Sequence, residues 1–322
     1  MANKLLGVEN INPEDLMEIK KLSQINPSIS TTCIIFEWLL IAALFFISTH
    51  YFSWYIYPLY VFLIGSRQHA LGVLMHEATH YRLYKLKWLN NFVGEALLAW
   101  PLLFSLNLYR KNHLQHHKYL NTIKDPDWVR KTHASGKSKL EWNFPMSKAK
   151  LSWVMLKPLF FLDTLYLMGL LVKFSSSSKN KALNNPTTEK TKRYRLIFYF
   201  LIAVVFTITH FWTSFLLFWL IPLLSSFAFI NKLRGIAEHF GIESTNKYNM
   251  SRNLKPSFIA KTLLTPYNVS YHLDHHLYPS IPFFNLKKLH KLLLKNSEYA
   301  NHAHISVTHK SLFSECSHPP YS

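Results

Sequence analysis

The chain has 322 residues, of which 49% are hydrophobic and 16% are charged, and its formal net charge is +19. Because the mean hydropathy is nevertheless +0.03, apolar blocks must alternate with strongly basic ones. Membrane topology and contact with anionic headgroups explain the basic excess, so it does not indicate a nucleic-acid-binding protein. Only two cysteines are present, which excludes a disulfide framework.

Four apolar stretches, arranged in two pairs, are predicted to cross a membrane. They cover residues 31–48, 54–78, 195–210 and 211–231. A helix rises about 1.5 Å per residue and a hydrocarbon core is about 30 Å thick, so the third and shortest stretch is expected to extend into its flanks. Lys and Arg are absent from the short connection within each pair but frequent between the pairs, which places both connections on the non-cytoplasmic side.

The fold class that follows is an all-α integral membrane protein with four transmembrane helices in two hairpins. Both termini are then cytoplasmic, and residues 76–194 and 232–295 are expected to form a cytoplasmic helical cap. No domain boundary is needed, so residues 1–322 are interpreted as a single domain. Within the cap, residues 285–295 place leucines at helical spacing between lysines, which predicts an amphipathic surface helix whose lysines touch headgroups.

Three histidine clusters are the most informative feature of the chain. They occur in HEATH, HLQHH and HLDHH, and comprise His76 and His80, then His113, His116 and His117, then His272, His275 and His276. Because the spacings are i, i+3 and i+4, each cluster projects from one side of a helix. Imidazole binds iron, copper, nickel and zinc, whereas calcium and magnesium prefer oxygen ligands. Eight nitrogens exceed the needs of one ion, so the pattern predicts two adjacent or bridged metal ions.

Two other classes of metal protein fit part of this pattern. HEATH also matches the HExxH signature of zinc metalloproteases, in which Glu77 is the general base, but that mechanism leaves two clusters unused. A metal transporter would carry its ligands near the bilayer midplane on inverted repeats. Here the predicted topology gathers the histidines at one membrane face, and the two hairpins share no motif. Both classes are therefore kept only as remote alternatives.

The histidine motifs and their surroundings resemble the membrane fatty acid desaturase and hydroxylase superfamily. The similarity includes RQHALGVLMHEATH, the block at residues 99–127 and YNVSYHLDHHLYPSIP, and it covers most of residues 67–290. The resemblance implies a cytoplasmic cap that holds two iron ions, and this di-iron cluster is itself the catalytic group that activates O2. The implied reaction begins with abstraction of hydrogen from an unactivated methylene.

The resemblance also suggests residues outside the three clusters. His239 in RGIAEHF is placed like a ninth metal ligand of many members, whereas Gly235 stands where some members have an asparagine. Candidates for orienting a ligand imidazole or holding a water are Asp125, Asp127, Asn268 and Glu238, together with Glu77 and Asp274 beside other ligands. His69, two turns before His76, is expected to line the substrate tunnel, to pair with Arg67 or to pack in the core, and the sequence leaves these alternatives open. The remaining histidines, among them His290, are expected at the surface or in loops.

The predicted function is an O2-dependent lipid desaturase that introduces a double bond into an acyl chain. The three-residue spacer of HEATH resembles members that act on lipid-linked acyl chains. A hydroxylase or ketolase of the same superfamily, acting on a lipid or carotenoid, is the alternative, because these reactions share the first hydrogen abstraction. No fused haem or ferredoxin module is expected, so electrons would come from a separate ferredoxin, or from a b-type cytochrome with its reductase. The protein would be a multi-pass membrane protein with a cytoplasmic active site.

Overall fold

The computed structural model describes residues 7–8, 11–127, 142–163 and 186–317, with side chains described from residue 190 in the last range. This part of the chain is mostly helical. Its α-helices are α1 (Pro13–Leu22), α2 (Pro27–His50), α3 (Tyr57–Thr79), α4 (Lys87–Val93), α5 (Leu106–Tyr119), α6 (Lys148–Leu156), α7 (Pro186–Ile208), α8 (Trp212–His239), α9 (Phe258–Leu263), α10 (His272–Leu277), α11 (Leu286–Leu293), α12 (Ser297–His302) and α13 (His309–Ser317). Short 3-10 turns are Lys157–Phe160 and Phe283–Asn285, and π-helical turns are Gly94–Ala99 and Leu216–Leu220. The named strands in the described ranges, β1 (Asn253–Leu254) and β2 (Ile305–Ser306), pair in parallel.

Two helices of the described chain, α2 and α8, are long and apolar enough to cross a membrane. Helix α2 begins where the Asn26 side chain accepts hydrogen bonds from the first-turn amides and Pro27 occupies the first position. Helices α3 and α7 are each 23 residues long, but α3 carries charged and histidine side chains and α7 begins with a charged segment. The finding fits the predicted helical membrane protein, and the count of four spans and the cytoplasmic cap stay predictions.

Helix α3 lies at the centre of the fold. Its second half is almost entirely buried, and it packs against both α2 and α8. Gly65 permits the close approach to α8, because a Cβ atom at this position would lie 2.0 Å from the Oγ atom of Ser226. Leu71 and Leu74 are fully buried in the main hydrophobic core. The surrounding helices thus fix the end of α3 that carries His76 and His80.

A buried ion pair joins α3 to α2. The Nη1 atom of Arg67 lies 3.3 Å from Oε1 of Glu37, and the hydroxyl of Tyr267 donates to the same oxygen at 2.6 Å. Arg67 also donates to the carbonyl of Thr262, the penultimate residue of α9. Because an unpaired charge is costly to bury, these partners are needed together. They hold α2, α3 and the segment that leads to the third histidine motif in one arrangement.

The amphipathic helix predicted at residues 285–295 is present as α11, and its apolar side faces the protein. Leu286, Leu289 and Leu293 are at most 3% exposed, and they pack with Leu273 and Leu277 of α10. Each buried leucine contributes roughly 1.5–3 kcal/mol relative to an exposed one, which is enough to hold α11 against α10. The leucines are therefore not available to a membrane surface, whereas the lysines between them are exposed.

Candidate metal centre

The structure brings all nine predicted histidine ligands together in two groups. Within each group, one ring nitrogen of every histidine lies within 4.8 Å of the corresponding atoms of the others. Group one contains His76, His80, His113, His117 and His275, and group two contains His116, His239, His272 and His276. The groups adjoin, because the ring centroids of His117 and His276 are 4.3 Å apart.

Helical geometry explains how two HxxHH motifs serve two groups. In α5, His113 and His117 are four residues apart and belong to group one, whereas His116 belongs to group two. In α10 the assignment is the reverse, with His272 and His276 in group two and His275 in group one. Side chains four residues apart differ by about 40° around a helix, whereas consecutive ones differ by about 100°. Each adjacent histidine pair therefore supplies one ring to each group.

The Nε2 atoms in each group are as close together as ligands of one ion. Their separations are 2.9 Å for His80–His113 and for His113–His117, 3.2 Å for His117–His275, 2.9 Å for His239–His272 and 3.0 Å for His272–His276. Two nitrogens bound at about 2.1 Å from an ion would be about 3.0 Å apart at a right angle and about 3.4 Å apart at the tetrahedral angle. The residues of each group therefore fit the ligands of one metal ion.

Burial favours the neutral form of five of the histidine rings in α5 and α10, which leaves a lone pair free for a metal. Removal from water lowers the pKa of His113, His117 and His275 well below its usual value, and neighbouring imidazoles lower it further. The same causes, burial first, lower the pKa of His272 and His276 in group two. Only the unprotonated ring nitrogen can bind a cation, so these environments favour metal binding near neutral pH.

The carboxylate of Asp125 forms a hydrogen bond with His116 of group two. Both carboxylate oxygens of Asp125 lie 3.0 Å from Nδ1 of His116, and they also accept hydrogen bonds from the backbone N–H groups of Asn121 and Asp127. Burial is the largest single influence and would raise the pKa of Asp125, but the hydrogen bond from His116, electrostatic attraction to His116 and the two backbone hydrogen bonds together outweigh it, and the net pKa is lowered. An ionised carboxylate on Nδ1 fixes the tautomer of His116, so that Nε2 faces group two.

Glu77 and Glu238 each lie beside a predicted histidine ligand, as Asp125 does. Oε1 of Glu77 lies 3.5 Å from Nδ1 of His76, and Oε2 accepts the backbone N–H of Phe283. Oε1 of Glu238 lies 3.4 Å from Nδ1 of His272 and pairs with the guanidinium of Arg234. Glu77 therefore contacts the outer nitrogen of a ligand and a backbone amide, which is not the arrangement of a protease general base.

The sequence model of the fatty acid desaturase family matches residues 52–308 of the chain. The chain belongs to the fatty acid desaturase family. It is 32% identical to the dihydrorhizobitoxine desaturase of Bradyrhizobium elkanii over 256 residues, which is 77% of this chain and 70% of that protein. It is 26% identical to the sphingolipid delta(4)-desaturase of Mus musculus over 253 residues, 77% of this chain and 67% of that protein.

A shorter match is to a relative whose name includes ferredoxin. Over 91 residues, 28% of this chain and 25% of the relative, it is 32% identical to the sn-1 acyl-lipid omega-3 desaturase (ferredoxin) of Nostoc sp. (strain 36). The resemblance read from the histidine motifs is confirmed. The chain is an oxidoreductase of a family that acts on lipids, and its histidine groups and apolar helices fit a metal-binding membrane protein.

A buried polar network supports the third histidine motif of this family member. Asp274, which is fully buried, accepts hydrogen bonds from Nδ1 of His290 and Nδ2 of Asn253, each at 2.9 Å, and from the hydroxyl of Tyr299. The side-chain oxygen of Asn253 in turn accepts the backbone N–H groups of Leu273 and Asp274, at the start of α10. These amides lack partners within the helix, so the network holds α10 by its first turn.

The expectation that His290 is a surface or loop residue is wrong. It is 5% exposed, because it lies on the side of α11 that packs against α10. Its position four residues after Leu286 and three before Leu293 was the available signal, since it places His290 on the leucine side. Asn253 and Tyr299 were missed as well, and no local pattern marks them, because each meets Asp274 only in the folded chain.

Three further candidates lie farther from the histidine groups. Asn268 donates to the carbonyl of Phe283 at 3.0 Å, so its described contact is to the backbone and not to His272. The carboxylate of Asp127 is 3.8 Å from Nδ1 of His116 and its side chain is 43% exposed. His69 is buried in α3, and its two ring nitrogens have no hydrogen-bond partner in the described part of the chain. The pairing with Arg67 is not formed, because Arg67 pairs with Glu37.

Proposed function

We propose that the chain is an O2-dependent desaturase that introduces a double bond into a lipid-linked acyl chain with two iron ions, one in each histidine group. The observation that carries the proposal is the convergence of nine imidazoles into two adjoining groups in a member of the desaturase family. When bound, the irons would supply the redox chemistry that couples O2 reduction to cleavage of an unactivated C–H bond. Two substrate hydrogens, two external electrons and two protons together reduce O2 to two water molecules.

The chain's own residues hold and orient the metal ligands. His76, His116 and His272 each have a carboxylate beside the outer ring nitrogen, from Glu77, Asp125 and Glu238 respectively. A fixed ring orientation keeps each Nε2 atom directed at its group without reorganisation during turnover. Burial of the rings keeps bulk water from the site, which protects a strongly oxidising reaction from side reactions. Histidine is suited to this role, because thiolate ligands would be oxidised.

We also propose four membrane spans in two hairpins, α2 with α3 and α7 with α8, within a single domain over residues 1–322. His76 and His80 lie at the end of α3, and His239 is the last residue of α8, so both hairpins direct ligands to the same side. The basic segments next to these ends support a cytoplasmic site and cytoplasmic termini.

A lipid-linked acyl chain and a separate electron donor are the proposed partners. The names of the relatives support desaturation, since each describes a desaturase. The ferredoxin in the name of the Nostoc relative supports a soluble iron–sulfur donor, with a b-type cytochrome and reductase as the other candidate. Desaturation differs from hydroxylation only after the first hydrogen abstraction, so the product must be identified directly.

Purified protein, prepared without chelators, is expected to contain about two iron ions per chain, because the two groups each offer enough nitrogens for one ion. Elemental mass spectrometry of the purified protein measures the number of iron ions per chain. Product should be measured in a host that expresses the chain, with double bonds located by lipid mass spectrometry. Active protein that contains stoichiometric zinc and no iron would contradict the di-iron proposal.

Reporter fusions at Ser53 and Phe211 are expected to lie on the non-cytoplasmic side, because no Lys or Arg flanks these hairpin tips. Fusions near Lys179, which lies outside the described residues, and after His309 are expected to be cytoplasmic. A pair of reporters that work on opposite sides of the membrane, alkaline phosphatase on the non-cytoplasmic side and green fluorescent protein in the cytoplasm, provides the measurement. A cytoplasmic signal at only one tip would place His76 and His239 on different sides and reject the topology.

A further inference from the structure

Lysines cover the outer side of α11, directly over the third histidine motif. Lys287, Lys288 and Lys291 are exposed, and we call these three residues the lysine face. The opposite side of α11 packs its leucines against α10, the helix that supplies ligands to both metal groups. Axes of packed helices are about 8–10 Å apart, so the lysine face is one helix layer away from α10.

A buried pair of side chains bridges this layer. His290 lies on the buried side of α11, opposite the lysine face, is 5% exposed, and its Nδ1 atom is 2.9 Å from Oδ2 of Asp274. Asp274 stands in α10 between His272 of group two and His275 of group one. The His290–Asp274 contact therefore links α11, the helix that carries the lysine face, to a residue flanked by a proposed ligand of each group.

The lysine face lacks what a membrane-binding helix requires. Such a helix directs an apolar side toward the lipid, but all four leucines of α11 pack against the protein. By contrast, α9 exposes 84% of Phe258 and 70% of Ile259 beside the exposed Lys261, which is the combination that suits a membrane surface. The lysine face is therefore better suited to a soluble partner with negative charge.

The charges of the lysine face are available to such a partner. Within the described residues, Lys287, Lys288 and Lys291 form no ion pair, whereas the nearby Lys295 lies 3.9 Å from a carboxylate oxygen of Asp15 on α1. Complementary charge raises association rates by about 10- to 1,000-fold at low salt, and the effect declines with ionic strength. A face of this kind suits repeated, brief docking rather than permanent assembly.

We propose that the lysine face is the docking surface for a small acidic one-electron carrier with a [2Fe–2S] cluster. The inference rests on the proposed function, which consumes two external electrons for each double bond. Each docked carrier gives up one electron and is itself oxidised, so two successive dockings supply both electrons. The position over α10 brings the carrier near both metal groups through the same contact.

The test compares K287E/K288E/K291E with the unaltered protein, using a plant-type [2Fe–2S] ferredoxin reduced by NADPH and its reductase as the probe. At about 50 mM salt the variant is expected to raise the KM for ferredoxin by about tenfold or more, and at about 300 mM salt the difference should shrink. Product from a single turnover, in protein reduced with dithionite and then mixed with O2, should be unchanged. K148E/K150E, which reverses two exposed lysines on α6, is the control and should keep the original KM.

An unchanged KM for ferredoxin in the triple variant would overturn the docking proposal. Parallel loss of ferredoxin-driven and dithionite-driven product would assign the lysines a structural role instead. Weaker binding of the variant to phosphatidylglycerol vesicles, with an unchanged KM, would assign the face to lipid headgroups. If the unaltered protein forms product after dithionite reduction but not with ferredoxin, the docking proposal fails and the proposed function stands. If it forms no product by either route, both fail.

Discussion

Replacement of His276 with alanine is expected to abolish double-bond formation and to remove iron from group two. The ring is fully buried, and its Nε2 atom lies 3.0 Å from that of His272. Its loss would open a coordination position on a cation that water reaches poorly. Loss of a residue that only orients a ligand costs about 10- to 100-fold, so loss of the ligand itself should exceed about 100-fold. Lipid mass spectrometry and iron content per chain measure the two effects.

The same result is expected for His117→Ala in group one, and His50→Ala is the control. His50 is exposed at the end of α2, and among the described residues its hydrogen bonds stay within its own helix turn, so its replacement should leave iron and product unchanged. Full iron and normal product in both His117→Ala and His276→Ala would reject the shared site. If His239→Ala alone kept iron and product, His239 would have a structural role and the other eight would still be the proposed ligands.

The spacing of the histidines indicated which side chains would project together, because i, i+3 and i+4 positions share a helix side. The structure brings those eight residues together in two groups that could each hold a metal ion, with His239, which the family resemblance suggested, in the second group. The division into five and four was not predictable, because it depends on the rotation of α5 and α10 about their axes. That rotation is set by distant contacts, such as the hydrogen bonds from Arg110 to the carbonyls of Ala78 and Thr79 and from the amides of Leu106 and Asn107 to Glu95.

The supporting residues show the limit of local patterns more clearly. Asp125 could be found because it follows His116 by nine residues, within the same helix-turn segment. The partners of Asp274 lie 16 to 25 residues away and meet it only through the packing of β1, α11 and α12 against α10. Their burial depends on tertiary contacts that no periodicity encodes.

Hydropathy predicted the long helices but not the character of α3. A membrane span is recognised in a sequence by its apolar side chains. Helix α3 instead lies in the middle of the bundle, and its buried Arg67, His69 and His76 face neighbouring helices. Arg67 is tolerated because Glu37 on α2 pairs with it, a contact that joins positions thirty residues apart. A helix whose charged side chains have buried partners can therefore cross a membrane although it is less apolar than α2 or α8.

Asp125→Asn is expected to lower turnover or iron affinity by about 10- to 100-fold. The substitution keeps the size of the side chain but removes the negative charge of the carboxylate that accepts the hydrogen bond from Nδ1 of His116. The carboxylate lies 3.0 Å from that nitrogen and is almost completely buried, so water cannot replace it easily. The asparagine amide can present either its oxygen or its NH2 group to His116, and only the oxygen preserves the ring tautomer. Iron affinity should be measured by competition with a chelator, alongside turnover.

Asp127→Asn is the matched control for Asp125→Asn, since the two carboxylates are two residues apart and approach the same nitrogen. Asp127 is 3.8 Å away and its side chain is 43% exposed, so solvent screens its charge and its replacement should change iron affinity much less. Equal losses in the two variants would mean that the net charge near His116 matters and the hydrogen bond does not. No loss in Asp125→Asn would show that His116 keeps its orientation through its own packing, and the carboxylate would then have no role in the metal centre.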